Sequence, residues 1–130
     1  MNGRSIRKGA IIFVLILAAG VWAQARASRV DIGFTFVAAG KTLEAGTYSV
    51  DIASNGNVVL TPDKGGAAVE VPRIKKLGNR NVQKAELVFD VVGSARFLAQ
   101  VWLPGKDGCL VGRQNEAQEQ QTVKGPKADQ

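Results

Sequence analysis

The chain has no histidine in 130 residues. That absence removes the commonest general base, the Ser-His-Asp and Cys-His nucleophile pairs, and nearly every zinc site, so no metal or cofactor is expected. Cysteine is almost as scarce. Cys109 stands alone, so no disulfide within the chain can carry the fold, and a monomer without disulfides is expected. Beside Leu110 and Val111, Cys109 reads as a small buried or half-buried residue. The sharper alternatives are a free thiol or a bridge between chains. No apolar run reaches the roughly 20 residues needed to cross a bilayer core.

The longest apolar run is AIIFVLILAAGVW (residues 10–22). Arg4, Arg7 and Lys8 precede it without any acid, and Ala23-Gln24-Ala25 follows. A basic start, a short apolar stretch and an A-x-A site make residues 1–25 a secretory signal peptide with a helical apolar segment. Ala25-Arg26-Ala27 is a second A-x-A, so cleavage is expected after Ala25 or Ala27, with the product secreted or periplasmic. The alternative is retention as a membrane anchor, which the shortness of the run disfavours.

Without the three basic residues of the leader, 14 basic side chains face 11 acidic ones, a net charge of +3. That is ordinary for a soluble surface and gives no reason to expect nucleic acid as partner. The 105 residues after Ala25 suffice for one domain.

Residues 26–113 read as an all-β domain, because apolar residues alternate and turn residues recur every eight to twelve positions. Val30, Ile32, Phe34 and Phe36 form one apolar face, and Tyr48, Val50 and Ile52 form another. Around Asn55-Gly56, a two-residue loop would set Asp51 against Leu60. A three-residue loop with Gly56 left-handed pairs Ile52 with Val58 and Val50 with Leu60, so the apolar pattern selects it. Residues 85–92 and 96–103 carry consecutive apolar side chains, which predicts strands covered on both faces. Segment 73–84 is the least regular. The count is about seven strands in a single small antiparallel sandwich or barrel. Residues 114–130, with five glutamines and Val123 as the one sizeable apolar residue, are expected to be a disordered polar tail.

Two stretches, FTFVAAGKTLEAGTYSV (residues 34–50) and KAELVFDVVGSARFLAQVWLPG (residues 84–105), resemble a widespread uncharacterised family of small secreted β-rich proteins from acidobacteria and related soil bacteria. The family pattern is F-x-F-x-x-G-K-x-L-x-A-G-x-Y, then L-V-F, a glycine turn, F-L and V-W. Glu44 stands where the family usually has proline, Val91 and Val92 replace a polar-aromatic pair, and Asp90 sits where histidine is common. The resemblance implies class and export, and it carries over no active site.

Carboxylates alone could run hydrolysis. Asp31, Asp51, Glu70, Glu86 and Asp90 fall on strands, but their alternation with apolar residues places most of them on a solvated face, so no catalytic residues and no enzyme activity are expected. Arg73, Lys75, Lys76, Arg80 and Lys84 form a basic run without an acid. It could hold an anionic polysaccharide or lipid headgroups, or it could be an ordinary solvated connection. Trp102 reads as either a sugar-stacking platform or the second buried face of a central strand, and the second reading is preferred. The expected function is an exported non-catalytic binding or envelope-associated module. The alternative is a small carrier holding a hydrophobic ligand inside a barrel.

Overall fold

A computed structural model describes residues 28–127, and the leader expected over residues 1–25 lies outside them. Among the described residues there is no helix, and the fold is all-β in two sheets. In chain order the strands are β1 (Arg29–Ile32), β2 (Phe36–Ala38), β3 (Lys41–Leu43), β4 (Gly46–Ile52), β5 (Val58–Pro62) and β6 (Val69–Val71). They continue as β7 (Lys75–Lys76), β8 (Lys84–Val92), β9 (Ala95–Trp102), β10 (Cys109–Leu110) and β11 (Glu119–Lys127). The smaller sheet runs β1-β4-β5-β6, and the larger runs β11-β8-β9-β10-β7 with β2 and β3 attached at β9. Two sheets with separate edges fit an open sandwich.

The alternating face of residues 30–36 survives, but the strand does not continue through it. Val30, Ile32 and Phe36 are buried, yet the chain leaves the smaller sheet after Ile32 and enters the larger one at Phe36. Each residue keeps its apolar side inward while its hydrogen-bond partners change. β2 then pairs with β9 in parallel at Val37 and Phe97, an exception to the expected antiparallel pattern. Ala39 and Gly40, at φ values of 54° and 73°, make the two-residue turn from β2 to β3. Positive φ at both central positions matches the right-handed twist of the flanking strands.

The β4–β5 hairpin has the register that its apolar pattern selects. Val50 faces Leu60 and Ile52 faces Val58. Ala53 closes the loop by donating its N–H to the Asn57 carbonyl at 2.8 Å, and Gly56 takes φ 92°. Between the sheets, Val30, Ile32, Val50 and Leu60 meet Phe36, Leu87, Phe89, Leu98 and Val101 in one apolar core. Phe89 meets Phe34 and Phe36 edge-on, with centroids 5.0 and 5.5 Å apart. Edge contacts of this kind satisfy the ring quadrupoles and fill the interior.

Tyr48 closes the turn before β4. Its ring is buried against Phe36, and its hydroxyl donates to the Glu44 carbonyl at 2.6 Å. Burial, and secondarily the Glu44 charge, push the phenol above its ordinary pKa. Tyr48→Phe keeps the ring and orphans that carbonyl, so urea unfolding should show a loss of about 0.5–1.5 kcal/mol. An unchanged midpoint would show that the corner contributes nothing to stability.

The disordered tail expected over 114–130 is corrected by β11, which pairs antiparallel with β8 from Glu119↔Val91 to Lys127↔Lys84. Strand pairing uses the backbone N–H and C=O, and only proline lacks one of them, the N–H. A polar composition therefore does not prevent it where a long partner edge is available. β11 also lies against β1, where Gly125 packs so closely that any side chain would collide with the Arg29 carbonyl.

Candidate binding cleft on the larger sheet

The residues of the basic run have different partners. The Arg73 guanidinium lies on Gly56, where a Cβ would come within 2.7 Å of its Cζ, and its backbone N–H donates to Asn57 Oδ1 at 3.1 Å. Arg80 donates to Glu86 at 3.1 Å and covers the Trp102 ring at 4.4 Å. Lys76 lies 3.7 Å from Asp107. Among the described residues Lys75 and Lys84 have no ion-pair partner. Arg73 has none either, so three of the five cations lack a carboxylate partner, a weaker anion site than five.

Cys109 is buried in the core and is a free thiol. Burial raises its pKa, with Arg73 pulling more weakly the other way. A buried, protonated thiol is a poor nucleophile and a poor site for a bridge between chains. Trp102 is also buried, its indole N–H donating to Gln100 Oε1 at 2.9 Å. Gly108 packs on the ring so closely that a Cβ there would meet it at 2.5 Å. The ring therefore offers no open face for stacking.

Asp31, Asp51 and Glu70 are exposed. Glu70 accepts from Asn57 and Asn55, which hold its carboxyl below the ordinary pKa. Glu86 and Asp90 depart from the expected solvated face, being 9% and 5% exposed. Arg80 and Lys124 flank Glu86, and the chain after β10 covers Asp90. Four residues apart on one strand, the two carboxylates have Cα atoms roughly 13 Å apart at ~3.3 Å rise per residue.

The covering of Asp90 builds a cleft. A bulge in β9 leaves Ala99 without a partner on β8, and its carbonyl accepts from both Val111 and Gly112. Gly112 lets the chain approach, since a Cβ there would stand 2.5 Å from the Leu98 carbonyl oxygen. From that point residues 112–118 cross the outer face of β9 and β8. Gln114 N–H donates to Asp90 Oδ2 at 3.0 Å, and Gln120 Nε2 donates to Oδ1 at 3.0 Å. Gln118 N–H then bonds the Val91 carbonyl at 2.7 Å and leads into β11.

Between this crossing and β7 lies a cleft of about 440 Å³. Lys75, Leu77, Leu110 and Ala99 form one side of it, and Gln100, Asp90, Gln114, Ala117, Gln118, Glu119 and Gln120 complete it with Gly112 and Arg113. Its size falls within the roughly 300–1,000 Å³ typical of small-ligand sites. Of the residues singled out in the sequence, Lys75 and Asp90 line it. The glutamines were legible only as a polar tail, although a period of two already places Gln100 and Trp102 on one face of β9.

Compared with protein-family models, curated proteins and solved structures, the chain matches none.

Proposed function

We propose that the chain is an exported, non-catalytic binding module, and that its contact face is the cleft on the outer side of the larger sheet. The observation carrying this reading is the fixed polar lining of that cleft, anchored on the buried Asp90 carboxylate. Export rests on the leader pattern of residues 1–25 and accords with the family resemblance. The rival reading, a carrier with a hydrophobe in a barrel interior, is disfavoured because Phe34, Phe36 and Phe89 occupy the space between the sheets. The anionic-surface reading of segment 73–84 loses support because Lys76 and Arg80 already face carboxylates.

The test is to express the full chain, sequence the released product and measure its retention on insoluble envelope material. The mature N-terminus should be Arg26 or Ser28. Ala117→Trp places a large ring in the cleft from an exposed position and should abolish retention. Asp51→Ala on the exposed side of the smaller sheet should leave it intact. Equal retention in both variants would overturn the cleft as the contact face, and a product that keeps Met1 in a membrane fraction would overturn export by cleavage.

A further inference from the structure

The geometry points to a neutral carbohydrate chain as the ligand class of this cleft. The inference rests on the cleft being the contact face. Three amides lining it have orientations dictated by partners that can act in only one way. The Trp102 indole is a donor only, so Gln100 must turn Oε1 toward it and present its N–H₂ elsewhere. The Gly93 N–H, also a donor only, takes Gln118 Oε1 at 3.1 Å and leaves that amide's N–H₂ free. The Asp90 carboxylate is an acceptor only, so Gln120 gives it N–H₂ and keeps its carbonyl oxygen free.

The cleft therefore holds two oriented donor groups and one oriented acceptor before any ligand arrives. Hydroxyl groups donate and accept at once, so a polyol can satisfy both kinds. Fixing the amides in advance removes part of the ordering cost of binding. Formal charge in the lining is balanced, with Lys75 and Arg113 against Asp90 and Glu119. A phosphate or carboxylate ligand would meet as much repulsion as attraction, which favours an uncharged one. Leu77 and Leu110 supply small apolar surface suited to the C–H face of a sugar ring.

The probes are neutral tetrasaccharides of glucose, xylose and N-acetylglucosamine, in α and β linkages, titrated into the isotope-labelled full-length secreted product. The readout is the side-chain amide resonances of Gln100, Gln118 and Gln120. At least one sugar should give saturable shifts confined to these amides and their neighbours. Gln100→Glu keeps an acceptor for Trp102 but removes the donor pair, and it should weaken binding about tenfold, the worth of one lost hydrogen bond. A parallel titration with nucleotides, dicarboxylates and short peptides separates the two levels of the reading. Shifts in the cleft with one of these and none with any sugar would overturn the carbohydrate assignment and leave the cleft standing. Shifts elsewhere, or none with any probe, would overturn both.

Discussion

Ending the chain after Gln118 should cost the domain at least about 2 kcal/mol, or roughly 8–16 °C in its thermal midpoint for a domain of this size. The deletion removes β11 and leaves one edge of β8 without its partner. β8 is buried along seven consecutive residues, and Val88 and Val91, at 6% and 7% exposed, lose the cross-strand cover of Thr122 and Glu119. Fully exposing a valine forfeits about 1.5–3 kcal/mol, so even partial uncovering of two reaches the stated loss. A long apolar edge is also a template for pairing with another chain. The truncated protein should therefore associate as its concentration rises, which sedimentation will detect, while the full domain stays monomeric. An unchanged midpoint and a monomeric truncation would make β11 dispensable and return residues 119–130 to the status of a solvated tail.

Phe89→Ala should be the most damaging single core substitution, at about 3–5 kcal/mol. The side chain is fully buried and touches Phe34 and Phe36 edge-on. Its removal leaves a cavity at the junction of β8, β2 and the crossing between sheets at residues 33–35. Because total stability for such domains is about 5–15 kcal/mol, much of it would be lost. Urea unfolding read by circular dichroism measures the effect. Phe34→Leu serves as the comparison, since Phe34 is only half-buried and leucine retains most of the apolar volume. It should cost distinctly less. Equal losses would mean that the ring cluster is not centred on Phe89.

Glu44 ties the turn before β4 to the turn after β5. Its carboxylate accepts from Lys64 Nζ at 2.7 Å. That bond, followed by the lysine's charge, lowers the carboxyl's pKa. Both side chains are exposed, so little stability hangs on the pair. The Tyr48 hydroxyl, bonded to the backbone of the same residue, ties the corner more firmly.

What residue order determined by itself was local and periodic. Alternation placed Val30, Ile32, Val50, Val58 and Leu60 inward, and the cost of setting Asp51 against Leu60 selected the hairpin register, because a one-residue slip reverses every side chain. Consecutive apolar residues in 85–92 and 96–103 announced strands covered on both faces, although not what covers them. Tertiary structure decided the rest. The passage of residues 30–38 from one sheet to the other changes hydrogen-bond partners without changing which side faces the core, so periodicity is blind to it. β11 forms through the backbone along an edge that β8 supplies, so its polar side chains gave no sign of order. The cleft exists because the Ala99 bulge, the missing side chain of Gly112 and the Asp90 carboxylate meet in space. Asp90, Ala99 and Gly112 are spaced along the chain by intervals that no helical or strand period relates, and only the folded sheet brings them to one place.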